Sequence, residues 1–255
     1  MGKDEYLSAK VDVSLLKSRW NEKVSEEEGS ALSVMIRRLK TECRKDNSNR
    51  PLKLDLRGIF LHHEDLSDLD LSGYDFSYAN LNSCKLTRTV FSYAKFHRTS
   101  LEKSILDECE FIGSDLSYAR LNECSAKRCG FGGADLSQTS IIGADLSGAT
   151  LSHSKLINSD LRASNFKKAR LSEADLSGAI LTRAILVESD LKHSNVNGTD
   201  FEMADMRSCR LTGIKNFKRA NWIGADIRGL DLRGAYLVRR YIADENYLFE
   251  FRSIS

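Results

Sequence analysis

The stretch Ala134-Asp-Leu-Ser-Gln138, repeated nearly unchanged at 144–148 and 174–178, decides the fold of this chain of 255 residues. A large apolar residue recurs at every fifth position from Leu56 to Leu211, and only Ala126 in that series is small. A period of five fits neither an α-helix nor a flat β-strand. A repeat kept this strictly over so long a stretch predicts a solenoid whose chain bends once in every unit.

The position two residues before each large residue is small, because it holds Ala, Ser, Thr or Cys from Ala79 to Cys209. Residues two apart in an extended chain point to the same side, so both series are predicted to face inward. The residue between them, often aspartate, faces out. The last two residues of each unit form a turn, and most of the 16 glycines fall at the second of these, where a positive φ is often required. The aspartates are predicted to cap these turns through the backbone.

These units resemble the A(D/N)LXX consensus of the pentapeptide-repeat family over Leu54 to about Val238. The resemblance implies an all-β solenoid, a right-handed quadrilateral β-helix with four units in each coil. It predicts about nine coils and, with neighbouring strands about 4.8 Å apart, a rod about 40–45 Å long. After Leu211 the large series moves by one residue to Phe217 and Trp222, which predicts a one-residue insertion at 214–216 in the form of a bulge.

The columns of the coil can be read from the sequence, since residues in successive coils stack. They predict two stacks of phenylalanine rings, Phe91 with Phe111 and Phe131, and Phe76 with Phe96. Ala126 leaves a gap in a leucine column beside the glycine-rich run 129–133. This coil is therefore where a bend or a packing defect is expected.

Both ends of the chain leave the repeat, which divides it into an N-terminal helical cap at 1–50, a β-helix at 51–238 and a C-terminal helical cap or linker at 239–255. A first helical face is predicted from Leu15, Leu16, Trp20 and Val24. A second helix is predicted to begin at Ser30 or Ser33, with the apolar stripe Leu32, Met35, Ile36, Leu39 and Cys43. Terminal repeats need covering, so these helices are expected on the open end of the solenoid; a partner-docking hairpin is the alternative.

Composition argues against several classes of function. The 38 basic and 36 acidic residues nearly balance, which disfavours both a nucleic-acid-coating protein and a polyanion. Five of the six cysteines occupy the small inward position and are predicted to be buried free thiols in a reducing cytoplasm: Cys84, Cys109, Cys124, Cys129 and Cys209.

No catalytic or phosphate-binding motif is found, and the histidines are dispersed. The adjacent pair His62 and His63 is expected to point in opposite directions along a strand, which disfavours a shared metal. A narrow coil filled with leucine and phenylalanine leaves no cavity for a small-molecule substrate. The sequence therefore predicts no enzyme activity, no cofactor and no metal site.

One outward column combines two aromatic residues with a cation. Tyr78, Arg98 and Tyr118 lie one coil apart, which predicts a stacked aromatic–cation–aromatic ladder. This column is the candidate partner surface, with a merely solvated face as the alternative.

Three functional hypotheses follow. The first is a non-catalytic, rigid protein-interaction scaffold for an unidentified protein partner. The second, implied by the resemblance, is a DNA mimic that binds a topoisomerase; it needs a strongly acidic surface, which the balanced charge disfavours. The third is the cytoplasmic regulatory domain of a longer membrane protein, because some bacterial members of the family are similar in having such a segment before a membrane region. The aromatic stretch 239–255 is also expected to cover an end of the rod, either its own or that of a second copy in a two-fold dimer.

Overall fold

The computed structural model describes residues 13–18, 20, 23–25, 29–43 and 55–230. Its elements before the solenoid are α1 (Val13–Ser18), β1 (Lys23–Ser25), β2 (Gly29–Ser30) and α2 (Ala31–Glu42). β1 and β2 pair antiparallel. Among the described residues no helix is both long and apolar enough to cross a membrane. The predicted C-terminal cap at 239–255 lies outside the described residues.

The rest of the described chain is a solenoid in which each five-residue unit contributes one bridge residue. That residue pairs in parallel with the residue 20 positions later, from Asp55 with Asp75 to Asn195 with Lys215. In a typical step the Leu116 N–H donates to Asp135 O at 2.7 Å. Four units therefore complete one coil, and every coil is hydrogen-bonded to the next, as expected from the repeat.

The large series forms the core. From Leu56 to Leu211 no member has more than 1% of its surface exposed. Both predicted ring stacks are confirmed, with centroid distances of 4.9 Å for Phe91–Phe111, 5.2 Å for Phe111–Phe131 and 5.2 Å for Phe76–Phe96. The expected irregular coil is not observed, because Ala126 is fully buried and its N–H donates to Asp145 O at 2.7 Å.

The turns are fixed by their backbone and, in the units that have one, by an aspartate. The second turn residue adopts a left-handed conformation even where it is not glycine, as at Tyr78 with φ 63°. Asp135 Oδ1 accepts the N–H of Ser137 at 3.0 Å, and the same contact recurs along the rod, which confirms the predicted capping role.

The inward threonines and cysteines reach towards the preceding coil, whereas most inward serines bond within their own coil, as Ser114 Oγ donates to Phe111 O at 2.7 Å. Thr89 Oγ1 donates to Leu66 O at 2.8 Å, and Cys84 Sγ donates to Leu61 O at 2.7 Å. The first coil has no coil before it, so large side chains fit at the same unit position. Ile59, Leu69 and Tyr74 occupy it there, and all three are buried.

Helix α2 packs on this first coil. Leu39 is fully buried, and Lys40 Nζ lies 2.6 Å from Glu64 Oε2. Cys43 O accepts the N–H of Asp70 at 2.6 Å, and Cys43 Sγ lies 3.3 Å from Tyr74 Oη. The extent of α2 agrees with the predicted second helix.

The first predicted helical face is wrong. α1 ends at Ser18, and Val24 lies in β1 rather than on a helix. Leu15 is 70% exposed, whereas Trp20 is buried and its Nε1–H donates to Arg57 O at 3.1 Å. The helix cannot continue because the backbone of 23–25 is extended and paired with β2.

The expectation for the two adjacent histidines is also wrong. His62 and His63 are the two turn residues of their unit rather than strand residues, and His63 has φ 64°. The turn brings their ring centroids to 3.8 Å. Within the described part of the chain, no group of three metal-ligating side chains could hold a metal ion.

The predicted one-residue insertion is confirmed, but the prediction that it forms a bulge is wrong. The pairing distance changes from 20 residues at Asn195–Lys215 to 21 at Asp200–Asn221. A 3₁₀ turn at Phe217–Arg219 takes up the extra residue in place of a bulge. Trp222 stacks on Phe217 at 4.5 Å and donates its Nε1–H to Phe217 O at 3.0 Å, which fixes the turn against the core.

Candidate functional site

The three residues of the predicted partner column occupy the same position in successive coils. Tyr78, Arg98 and Tyr118 are each the second residue of a turn, with φ of 63°, 55° and 60°. Arg98 Cζ lies 5.4 Å from the ring centroid of Tyr118, which is within cation–π range. The predicted contact between Tyr78 and Arg98, in contrast, is replaced by another.

His97 takes the place that the ladder assigned to Arg98 beside Tyr78. Its ring meets Tyr78 edge-on at 5.9 Å and Tyr118 edge-on at 5.4 Å. His97 Nδ1 also lies 2.9 Å from Ser117 Oγ, which holds the imidazole between the two tyrosines. The sequence signal for this contact is the position of His97, directly before Arg98 in the same turn.

Tyr93 occupies the turn at the other end of the same side of the coil. It is 71% exposed, and its ring lies against Gly113 one coil later. A Cβ on Gly113 would lie only 2.8 Å from Tyr93 Cε1, so glycine is what allows the ring to lie there. Ile112, which is 45% exposed, is the neighbour of Gly113 in that turn.

We call the surface formed by Tyr78, Tyr93, His97, Arg98 and Tyr118 the tyrosine side. The turns that hold Tyr93 and Arg98 flank the strand residue Lys95. Lys95 pairs with Asp75 before it and Asp115 after it, which brings the three coils together on one side of the rod. Within the described residues every surface tyrosine belongs to this side, since the remaining one, Tyr74, is buried.

Charges elsewhere on the rod are paired along columns. Arg88 Nε lies 2.7 Å from Asp68 Oδ1, one coil earlier, and Lys168 Nζ lies 3.5 Å from Glu188 Oε2, one coil later. Arg128 pairs with Glu108 in the same way. These ladders alternate in sign, so they leave no extended acidic face at that corner.

The acidic residues of the tyrosine side accept hydrogen bonds from backbone N–H groups. Asp75 Oδ1 accepts the N–H of Ser77 at 2.9 Å, and Asp115 Oδ1 accepts the N–H of Ser117 at 2.9 Å. Arg98 has no acidic partner among the described residues. Its guanidinium is therefore an exposed cation held only by an aromatic ring.

The buried thiols offer no nucleophile. All six cysteines are free and buried. Burial raises the pKa of Cys84, Cys124 and Cys209 to about 12 in each case. They therefore stay protonated near neutral pH, and a thiol rather than a thiolate is a poor nucleophile.

The geometry defines a solenoid repeat protein whose surface, rather than any cavity, carries the recognisable features. The family model "Pentapeptide repeats" matches with eight copies over residues 65–102, 104–143, 144–183 and 184–215. These ranges cover more than half of the chain, which therefore belongs to the pentapeptide-repeat family. No curated protein sequence matches the chain significantly.

Two solved structures illustrate the similarity. HetL, a pentapeptide repeat protein involved in heterocyst differentiation regulation from the cyanobacterium Nostoc sp. strain PCC 7120, is 24% identical, with a TM-score of 0.50 over 78% of this chain and 92% of HetL. A trypsin-treated variant of QnrB1, a plasmid-mediated fluoroquinolone resistance protein, is 20% identical, with a TM-score of 0.55 over 72% of this chain and 95% of QnrB1. At these identities the similarity concerns the fold alone.

Proposed function

We propose that this chain is a non-catalytic, rigid scaffold that binds a protein partner through the tyrosine side. The observation that carries the proposal is that Tyr78, Tyr93 and Tyr118 lie on one side of three adjacent coils, together with Arg98, which lies within cation–π range of Tyr118. Tyrosine and arginine are enriched among the residues that dominate protein–protein binding energy. Tyrosine also offers a large contact area with few rotatable bonds, so little conformational entropy is lost when it binds.

The rod supports this surface mechanically. Each coil of the tyrosine side is hydrogen-bonded to the coils before and after it, as in Tyr78 N–H to His97 O at 2.9 Å and Arg98 N–H to Ser117 O at 3.1 Å. Beneath it lie the stacked rings of Phe76 and Phe96. A surface ordered before binding avoids much of the entropic cost of association.

We further propose the complete architecture as a right-handed quadrilateral β-helix of about nine coils, with 1–50 as the N-terminal cap and 51–238 as the body. The contacts of α2 with Glu64, Asp70 and Tyr74 support the capping role. The buried free thiols support a reducing compartment, and we propose the cytoplasm. The C-terminal cap and the two-fold dimer concern 239–255, outside the described residues, and stay predictions.

The ion pairs along the columns favour the scaffold hypothesis over the hypothesis of a DNA mimic. A mimic of nucleic acid needs unpaired acidic groups along a face, whereas Asp68, Glu108 and Glu188 each pair with a cation. The hypothesis of a membrane protein's regulatory domain depends on the chain beyond the described residues, and no contact in the solenoid favours it.

Affinity capture from the native lysate tests the proposal. The baits are the intact chain, a Y78A/Y93A/Y118A variant, and a control R183A/H193A/M203A variant. The control residues are also exposed second turn residues with positive φ, but they lie further along the rod. We expect a protein that is retained by the intact chain and by the control and is lost with the tyrosine variant. Equal retention by all three baits would remove the tyrosine side as the binding surface.

A further inference from the structure

We propose that the tyrosine side recognises a carboxylate on an acidic segment of its protein partner, and that Arg98 binds this carboxylate. The inference rests on the proposed function and names the chemistry of the partner. The starting point is that Arg98 lacks the intramolecular partner that its position in the repeat provides to other cations.

At several second turn positions the repeat supplies an acid for a cation. Arg88 and Arg128 are each preceded one coil earlier by an acidic residue, Asp68 and Glu108, and pair with it. Arg98 is preceded by Tyr78 and followed by Tyr118 in the corresponding places. The sequence thus puts two aromatic rings where other columns put a carboxylate.

The nearby acids do not compensate for this. Asp75 and Asp115 accept the N–H groups of their own turns, and each is paired in the sheet with Lys95 between them. Neither carboxylate forms an ion pair with Arg98 among the described residues, so the guanidinium has no anionic partner there.

The geometry also prepares the guanidinium for binding. Arg98 Cζ lies 5.4 Å from the ring centroid of Tyr118, and no carboxylate of the described residues pairs with its N–H groups. An arginine in this position can donate two parallel hydrogen bonds to a carboxylate.

A carboxylate fits this site better than a phosphate does. A phosphorylated side chain carries a charge of about −1.5 to −2 and favours sites with several cations, whereas on this side the cations Lys95 and Arg98 lie among the carboxylates Asp75 and Asp115, which would repel a doubly charged group. The surrounding tyrosine rings would shield the ion pair from water, as the rim of a binding hot spot does. We therefore assign the occupant as an aspartate or glutamate side chain of a protein segment.

Selection from a displayed library of random short peptides tests this inference. The baits are the intact chain, the Y78A/Y93A/Y118A variant, Arg98→Glu and the matched control Arg183→Glu. Arg183 is likewise an exposed second turn residue, with φ 59°, but lies beside no aromatic ring among the described residues. We expect the intact chain and Arg183→Glu to enrich peptides with an acidic residue at a fixed position. Arg98→Glu should lose that enrichment, and the affinity for a representative acidic peptide should fall at least about tenfold.

The outcomes separate the inference from the proposed function. Arg98→Lys keeps the charge but not the planar fork, so its affinity should lie between those of the intact chain and Arg98→Glu. Acidic enrichment that survives Arg98→Glu, or peptides that depend on the tyrosines without any acidic preference, would overturn the inference alone. If no peptide depends on Tyr78, Tyr93 or Tyr118, both proposals fail. Thermal melting serves as the folding control, and the Arg98 variants should melt as the intact chain does because this side chain is exposed and forms no ion pair with the described residues.

Discussion

The ring of Tyr93 lies directly on Gly113, one coil further along the rod. Other turn side chains also extend towards the following coil, since Arg128 Cγ lies 3.4 Å from where a Cβ of Gly148 would be. Side chains at the second turn position therefore lean towards the following coil, whereas the inward threonines and cysteines reach towards the preceding one. Because of this lean, the residue that supports a surface side chain is found 20 positions later in the sequence.

Gly113→Ala should destabilise the rod more than Gly133→Ala does. Both positions have positive φ, 62° and 64°, but a Cβ on Gly133 would meet nothing within 4 Å. Gly133→Ala should therefore cost about 1 kcal/mol for the backbone conformation alone, and Gly113→Ala up to about 1 kcal/mol more for displacing Tyr93. Denaturant unfolding measures both. The added Y93A substitution should abolish the difference; a difference that persists would contradict the contact.

Phe111→Leu should cost more than Phe166→Leu. Both phenylalanines are fully buried, but Phe111 contacts the rings of Phe91, Phe96 and Phe131 at 4.9 to 5.3 Å. Phe166 has no ring contact among the described residues. Each aromatic pair adds about 0.5–1.5 kcal/mol beyond burial, so the three pairs should make the difference in unfolding free energy about 1.5–4.5 kcal/mol. Equal losses would show that the stacks contribute only buried area.

Asp107 caps a turn in the following coil instead of its own. Its Oδ1 accepts the Lys127 N–H at 3.0 Å and the Ser125 hydroxyl at 2.6 Å. Asp107→Ala should cost about 1–2 kcal/mol and speed hydrogen exchange at the Lys127 amide. Asp107→Asn keeps an oxygen acceptor and should largely preserve both the stability and the slow hydrogen exchange of the Lys127 amide. Unchanged exchange in Asp107→Ala would mean that the turn amide needs no side-chain partner.

Stability should fall as the pH rises above about 9. Burial raises the pKa of Cys84 and Cys209 from the ordinary value of 9.0 to about 12. Between these values the unfolded chain releases thiol protons that the folded chain retains, so each thiol lowers stability by about 1.4 kcal/mol per pH unit.

The double variant C84A/C209A measures this contribution, since alanine is the commonest residue at that unit position. Its loss of stability between pH 9 and 10.5 should be smaller than that of the intact chain, although lysines and tyrosines titrate in both. Parallel pH profiles for the two proteins would contradict the assignment.

The sequence predicted the solenoid well because its information is carried by spacing. The five-residue period determined which residues face inward, and the phenylalanine columns and the insertion near Phe217 followed from it. The first helix was mispredicted because helical spacing of Leu15 to Val24 does not reveal that β1 pairs with β2.

The candidate site was only partly predictable. Column counting placed Tyr78, Arg98 and Tyr118 together, but the ring of His97 comes from a different unit position and its rotamer decides the contact with Tyr78. The contact of Tyr93 with Gly113 likewise depends on the direction in which turn side chains extend. The spacing of residues alone does not give that direction.

Site-specific photo-crosslinking tests the central claim most directly. A photoreactive phenylalanine derivative replaces Tyr118 in one protein, Tyr93 in a second and Met203 in a control, and each is irradiated in the native lysate. Met203 is an exposed second turn residue far from the tyrosine side. The account predicts the same protein adduct from positions 118 and 93 and none from 203. An adduct from 203 alone, or the same adducts from all three positions, would contradict it.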